Sequence, residues 1–419
     1  MEVKPMTNFL VNNPPILQIF LNRFIGVFSK PTFISFSIYV GGLFLQLKRT
    51  NMQSITFNTL NAHYENIQYF LSESKWDEQK LNDIRIQILQ SNRTTKSSKK
   101  GVLVIDDSGC KKWGYKTEGV AVQHYGTENI QTKCNVVVVS AYSDTVKRYP
   151  VNLKPYKPAA EFFAKEQDFD FKSKIQLAME LFDDAILKNI TFSYAIFDNW
   201  YFSNNFVEHI HDSKRFWISE AENSRLISFQ GKWIRADELV KFIPIDRFRS
   251  VTVSTSSGKK SLFYVKAFKS KLKGISHPVL VVVAIGQWDE KDPKNVHVFA
   301  SNHLSLAPSE LIYNYALRWG IECIFRDLKD NVAFDHYQVR SLKSITRHWF
   351  LASLAYSFLL ISKLNGSFSK IFNHKPAGCG EQLLLFRKIN SMHHAYWIKK
   401  NYEDYQNYLG LKNPLPLSA

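Results

Sequence analysis

Between residues 102 and 219, short apolar runs alternate with stretches whose apolar residues recur at helical spacing. Val102–Ile105 predicts a strand that ends at Asp106 and Asp107. Asn135–Tyr142, with four consecutive valines, predicts a second strand. Lys147–Leu153 predicts a third, stopped where Pro155 and Pro158 interrupt the chain. Phe171–Leu187 reads as a helix, with Ile175, Ala178, Met179, Phe182 and Ile186 on one side. Phe192–Phe197 is a fourth strand running into Asp198, Ser203–His211 a short helix, and Arg215–Ser219 a fifth strand. The order β-β-β-α-β-α-β predicts an α/β fold. If the first and fourth strands are neighbours, Asp106 and Asp198 leave the sheet at the same edge.

The flanking segments divide the chain further. Residues 1–95 read as a helical amino-terminal domain, and 96–220 hold the strands and helices just described. Residues 221–305 form a β-rich insertion, clearest at Val251–Ser254, Ser261–Val265 and Val279–Ile285. Residues 306–366 are helical, and 367–419 form a basic tail. Within the first domain, Thr50–Thr56 predicts a turn, with Phe57–Phe70 as the following helix. Such a pair permits either a DNA-reading helix-turn-helix or an ordinary packing unit. Ser91–Gly101 is polar, basic and without an apolar run, as a linker would be. The apolar run Phe33–Leu47 is broken by Ser35, Ser37, Gly41, Gly42 and Gln46, and is shorter than the roughly 20 residues of a membrane span. It predicts a buried helix, with no membrane partner. The amino terminus lacks a basic segment directly followed by an apolar core, so no signal peptide is indicated.

A further apolar stripe, Leu317, Ile321, Ile324 and Leu328, is spaced by four, three and four residues. Pro308 suits a first helical turn, and the 22 residues from Ser309 to Asp330 hold one glycine and no proline. One long helix is therefore expected. At about 100° per residue, Tyr315, Arg318, Glu322 and Lys329 share a sector about 60° wide, apart from the apolar stripe. A solvated face usually scatters its charges more widely. This face gathers a phenol, a guanidinium, a carboxylate and an ammonium.

Charge sharpens the picture. The chain carries 54 Lys and Arg against 37 Asp and Glu, a net +17. Residues 1–100 hold 12 basic against 6 acidic side chains, 223–275 hold 12 against 3, and 340–419 hold 11 against 3. Basic regions around a mildly acidic centre suit a polyanion, with carboxylates kept for a metal. A basic surface that merely aids solubility is the plain alternative. The four cysteines have no C-x2-C pair, which argues against a zinc site or disulfide framework and fits a reducing cytosol.

Three carboxylates from distant stretches, Asp106, Asp198 and Glu322, make a donor set for a pair of Mg²⁺ ions. Hard divalent ions take oxygen ligands, and two of them can serve both the attacking and the leaving oxygen of a phosphodiester displacement. Tyr315, Arg318, Glu322 and Lys329 match the pattern Y-x2-R-x3-E-x6-K. That pattern, with Val104–Gly109 followed by Lys111-Lys112 and Gly119–Ala121, with Tyr194–Tyr201, and with Tyr337–Ser341 followed by His348, resembles the bacterial insertion-sequence transposases of the DDE class. The resemblance covers residues 100–220 and 306–365.

The resemblance implies an RNase H-like core, a mixed five-stranded sheet with helices, interrupted by the insertion. It implies Asp106, Asp198 and Glu322 as catalytic metal ligands for two Mg²⁺ ions, with Mn²⁺ able to substitute. Asp107 competes with Asp106, which is preferred because it directly follows the apolar strand. Tyr315 and Arg318 would contact the DNA backbone and Lys329 a phosphate, while Arg340 and His348 are further candidates to face DNA. In relatives a tryptophan of the insertion stacks on a flipped base, which makes Trp233 and Trp288 candidates here. The implied partners are double-stranded DNA, both element ends and target, and a second copy of the chain in a homodimer at the bacterial nucleoid. A different RNase H-like nuclease and an inactive, transposase-derived DNA-binding protein are the competing readings. Ser257–Lys260 lacks the glycine spacing of a phosphate loop. His393 and His394 read as surface histidines, and Asp183 and Asp184 as an exposed helix face.

Overall fold

The computed structural model describes residues 9–45, 47, 49–114, 116–126, 128–158, 171–254, 260–286 and 295–401. The chain divides into two compact units. One comprises residues 1–96, 113–118 and 325–419, and the other 97–112 and 119–324.

The helical unit begins with α1 (Pro15–Leu21), α2 (Lys30–Leu43), α3 (Met52–Phe57), α4 (Tyr64–Ser72) and α5 (Glu78–Ser91). The apolar run that contains α2 is buried, with Phe36, Tyr39, Val40 and Leu43 in the core. Gly42 permits the packing there, because a Cβ at this position would lie 2.4 Å from Ile55 Cγ2. No described helix is long and apolar enough to cross a membrane. The expected turn at Thr50–Thr56 is instead mostly α3. Asn51 Oδ1 accepts the Ser54 N–H at 3.0 Å and Ser54 Oγ accepts the Asn51 N–H at 2.9 Å, a reciprocal cap that starts a helix. The next helix starts at Tyr64, seven residues later than Phe57.

The second unit is built on a sheet of β1 (Val102–Lys111), β2 (Ala121–Tyr125), β3 (Ile130–Ser143), β4 (Arg148–Tyr156), β5 (Ala195–Phe197) and β6 (Trp217–Glu220). Helix α6 (Lys174–Leu187) follows β4, and α7 (Asn204–Asp212) follows β5. Ser173 and Gln176 cap α6 reciprocally. Its buried stripe is Leu177, Ala178, Leu181, Phe182 and Ala185, rotated from the expected one. The insertion supplies a small hairpin, β7 (Leu226–Phe229) and β8 (Lys232–Arg235), then β9 (Arg249–Ser254), β10 (Lys260–Ser270), β11 (Val279–Ile285) and β12 (Val296–Ser301).

The strand order is β2-β3-β1-β5-β6-β12-β11-β10-β9, with β4 also on β3. Strands β4, β3 and β1 pair antiparallel, whereas β1, β5 and β6 run parallel. This mixed α/β arrangement fits an RNase H-like core. Because β12 pairs antiparallel with β6, the four strands β9 to β12 extend the same sheet. One expectation fails here. Strand β1 does not stop at the aspartates but stays in register with β3 through Asp106↔Val139 and Asp107↔Val138 to Lys111↔Cys134. The long valine-rich β3 offers backbone partners throughout. Strand β5 is only three residues long and pairs with β1 at Leu103 and Val104. Asp106 therefore stands just past the end of its parallel neighbour, as Asp198 does at the end of β5.

After β12 come α8 (Pro308–Ala316) and α9 (Trp319–Val332), the latter passing into the helical unit after Ile324. That unit closes with α10 (Leu342–Leu364), α11 (Ser367–Phe372) and α12 (Cys379–Lys400). Helix α10 is buried along nearly its whole length. Arg347 within it donates to the backbone carbonyls of Leu71, Ser74 and Trp76 at 2.8–3.1 Å, so the buried guanidinium is compensated. His348 is wholly buried, bonded to Tyr39 Oη at 2.8 Å and to the Ala333 carbonyl at 2.9 Å. It is a core residue and faces no DNA. His394 is also fully buried, which corrects its reading as a surface histidine. All four cysteines are buried, and none forms a disulfide.

Candidate active site

The expected single helix across Tyr315–Lys329 is two helices joined at Leu317 and Arg318. The amides of Leu317, Arg318, Gly320 and Ile321 bond to carbonyls three residues back, at 2.9–3.1 Å, in place of the helical four. The cause lies on β3. Ser143 Oγ donates to the Leu317 carbonyl at 3.0 Å, and Gly320 lets the chain close onto that serine. A Cβ on Gly320 would lie 2.0 Å from Ser143 Oγ and 2.8 Å from Ser143 Cβ. The apolar stripe survives the break, for Leu317, Ile321, Ile324 and Leu328 are all buried.

The break sets Arg318 between two carboxylates. Its Nη2 lies 2.8 Å from Glu322 Oε1 and its Nη1 lies 3.4 Å from Asp106 Oδ2. The guanidinium also sits 6.0 Å from the centroid of the Tyr315 ring. That ring packs on Phe299, and its hydroxyl donates to Glu220 Oε2 at 3.5 Å. Burial, followed by the Glu220 charge, holds the phenol far above its usual range. Glu220, at the end of β6, carried no signal in the sequence. Lys329 lies farther along α9, in the helical unit. Arg340 is in that unit too, exposed, with its carbonyl accepting the Glu118 N–H at 2.8 Å.

Asp198, at the end of β5, lies near enough for its charge to act on Asp106. Burial pushes Asp106 up to about 8, reinforced by the charges of Asp198 and Asp107 and opposed by Arg318 and the Asp107 N–H. Burial also raises Asp198, against the N–H of Tyr201, the Arg318 charge and the N–H of Trp200. Tyr201 N reaches Asp198 Oδ1 at 3.1 Å. Asp107 is engaged differently. The Tyr201 hydroxyl donates to its Oδ1 at 2.8 Å, and Lys174 Nζ holds its Oδ2 at 2.8 Å. Sequence reasoning missed Lys174 altogether. Tyr201 was visible as the last residue of the Asp198 block, but its partner was not.

Among the described residues, no three His, Cys, Asp or Glu side chains lie close enough to hold an ion together. The donor chemistry nevertheless fits a hard divalent cation. The candidate ligands are all carboxylates, burial and then the neighbouring charges raise the proton affinity of Asp106, and one guanidinium spans Asp106 and Glu322. Of the aromatic candidates, Trp233 is half exposed on β8, paired with Ser228 across its hairpin, and Trp288 lies outside the described residues.

The protonation state gives a direct test. Asp106 titrates higher in the folded chain than an unfolded aspartate, at about 3.9. Ionising it therefore costs stability, a cost absent near pH 4 and complete above pH 8. In chelator, Asp106→Asn raises the melting temperature by at least about 2 °C near pH 9 and changes it little near pH 5. Binding of a divalent ion at this carboxylate would require the ionised form, so it would strengthen over the same interval in the unsubstituted protein. Calorimetry at the two pH values checks both statements.

Residues 23–232 match the family model for the DDE superfamily endonuclease, and residues 175–358 match that for the transposase DDE domain. Asp106 falls in the first match, Glu322 in the second and Asp198 in both. A protein of Microchaete diplosiphon described as a probable transposase for insertion sequence element IS701 is 25% identical over 200 residues. That alignment covers 42% of this chain and 51% of the relative, so the chain spans about half the length of the curated relative it matches.

Proposed function

The chain belongs to the DDE superfamily of endonucleases, and on that premise we propose that it is the DNA transposase of an insertion sequence. It cuts DNA at the ends of its element and joins the freed 3′ ends to target DNA. One observation carries the reading: Arg318 bridges Asp106 and Glu322, while Asp198 lies close enough to raise the proton affinity of Asp106. On this reading the three carboxylates, from β1, from the end of β5 and from α9, would draw together around the cation.

Asp106, Asp198 and Glu322 would hold two Mg²⁺ ions. When bound, the ions supply Lewis acidity at the attacking and leaving oxygens. Asp106 is favoured over Asp107 because both oxygens of Asp107 already have partners in Tyr201 and Lys174. Asp107 then fixes Tyr201, whose amide orients Asp198. Arg318 can fork onto phosphate oxygens when the strand enters, releasing Glu322. Tyr315 backs Arg318 and offers its hydroxyl to the DNA backbone, and Lys329 and Arg340 add charge for the same polyanion.

In the first step water attacks the phosphorus at the element end, the bond to the 3′ oxygen breaks, and a 3′-hydroxyl is left. In the second, that hydroxyl attacks a target phosphodiester, one such bond forming as one breaks. Neither step needs a covalent link to the enzyme. The amino-terminal helices and the basic tail supply binding surface for double-stranded DNA, and a homodimer would pair the two element ends.

The experiment compares Mg²⁺-dependent nicking of duplexes ending in the inverted repeats that flank the gene with nicking of scrambled duplexes and RNA–DNA hybrids. End-specific nicking supports the reading, and preference for the hybrid favours a nuclease of another kind. In the same assay Asp106→Asn abolishes nicking. Asp107→Asn keeps measurable nicking, with a loss of about 100-fold or less from the disturbed Asp198. The reverse ranking would make Asp107 the ligand.

A further inference from the structure

Within the Asp198 block, the side chain of Trp200 has no part in the scheme above. Single exposed apolar side chains are ordinary on protein surfaces and need no account. Trp200 differs because it is fixed in place and yet open. Its backbone N–H holds Asp198, and its ring stands edge-on to Tyr201 with centroids 4.8 Å apart and planes at 71°. Lys174 Nζ lies over the indole, 5.0 Å from its centroid, while it also pairs with Asp107 at 2.8 Å. Tyr201 in turn is locked by its hydrogen bond to Asp107. Trp200 is thus held by its backbone N–H and by two contacts of its ring, and it remains 56% exposed.

A rigid, half-exposed indole is costly to leave in water and useful only to a flat partner. Its neighbourhood disfavours an apolar protein segment as occupant, since a lysine ammonium that is paired with Asp107 lies over it. A DNA strand whose phosphate lies at the carboxylates presents what fits: a π-face attached to an anionic backbone. We propose that Trp200 is a stacking platform for the nucleobase next to the phosphate being cut, with Lys174 closing the opposite face of the indole. The proposal rests on the transposase reading and names how its active site positions the strand. Stacking of this kind tolerates every base, so Trp200 sets register and geometry without reading sequence.

The test uses a duplex ending in the repeats that flank the gene, with 2-aminopurine or an abasic site beside the cut. Binding of the unsubstituted protein changes the 2-aminopurine fluorescence. Trp200→Ala abolishes that change and weakens binding about ten-fold, whereas Trp200→Phe keeps most of both. On abasic DNA the unsubstituted protein loses the same affinity, and Trp200→Ala loses nothing further. Losses that add, or an unchanged fluorescence response in Trp200→Ala, overturn the stacking role. The abasic duplex and Trp200→Phe keep the test decisive if Trp200→Ala does not fold. Asp198→Asn serves as the separate control: if it still cleaves, the transposase reading itself fails, whatever Trp200 does.

Discussion

Replacing Glu322 by Gln, or Asp198 by Asn, should lower Mg²⁺-dependent cleavage of the element ends by at least about 1,000-fold while leaving binding of the same duplex within about three-fold. Each change keeps the shape of the side chain and removes one anionic oxygen. The two residues reach the cluster by different routes. Asp198 projects from the end of β5, oriented by the N–H groups of Trp200 and Tyr201. Glu322 comes from the first turn of α9, where Arg318 holds it at 2.8 Å. If the cluster is a metal site, removing either oxygen disables the same step, and the double variant is no worse than the single ones. DNA binding persists because it draws on the basic residues around the site. Electrophoretic mobility and single-turnover cleavage measure the two effects separately. Full cleavage by Glu322→Gln would remove that residue from the site.

The second large effect comes from a residue with no functional group. Gly320→Ala places a methyl carbon 2.8 Å from the Cβ of Ser143, an atom that rotation cannot move away. The turn at Leu317–Arg318 must shift, and the start of α9 moves with it. The expected cost is about 1–3 kcal/mol of stability. Displacing Glu322 by even about 1 Å costs a further factor of about 100 in cleavage, with DNA binding largely kept. A second change, Ser143→Gly, removes both the clashing carbon and the hydroxyl and should restore part of each loss. Denaturant unfolding and cleavage of the single and double variants check this. Additive losses would mean that Ser143 does not govern the turn.

The turn also shows what the sequence could and could not reveal. The chemistry-bearing residues were visible because they are spaced along single segments. Arg318 and Glu322 are four apart, Asp198 closes an apolar run, and the valines of β3 could hardly be anything but strand. The neighbouring of β1 and β5 was only a condition on the element order; their parallel pairing meets it and puts Asp198 near enough to act on Asp106. What stayed hidden depends on residues far away in the chain. The break in the Tyr315–Lys329 helix is imposed by Ser143, which no local pattern connects to Leu317. The continuation of β1 past Asp106 depends on the length of β3. The different surroundings of Asp106 and Asp107 come from Lys174 and Tyr201, which lie 67 and 94 residues from Asp107. The rotated stripe of α6 reflects packing on β3 and β4, which propensity alone does not fix.

The account also explains why Arg318 belongs among the carboxylates. Its guanidinium offsets the charges of Asp106 and Glu322. A buried carboxylate pair without such a charge would be costly to assemble. The same side chain is suited to a phosphate, so the arrival of DNA and of divalent ions can replace one set of charge pairs by another. Arg318 and Glu322 are thus an ion pair in this structure.

The most direct measurement of the central claim is a strand-transfer assay. Purified protein, Mg²⁺, a labelled duplex carrying the flanking repeat and a supercoiled target plasmid are incubated together, and the junctions are sequenced. The account predicts scission at the repeat boundary and joining of that 3′ end to the plasmid, with both products absent for Asp106→Asn. Cleavage without regard to the repeat, or joined products that persist in Asp106→Asn, would contradict it.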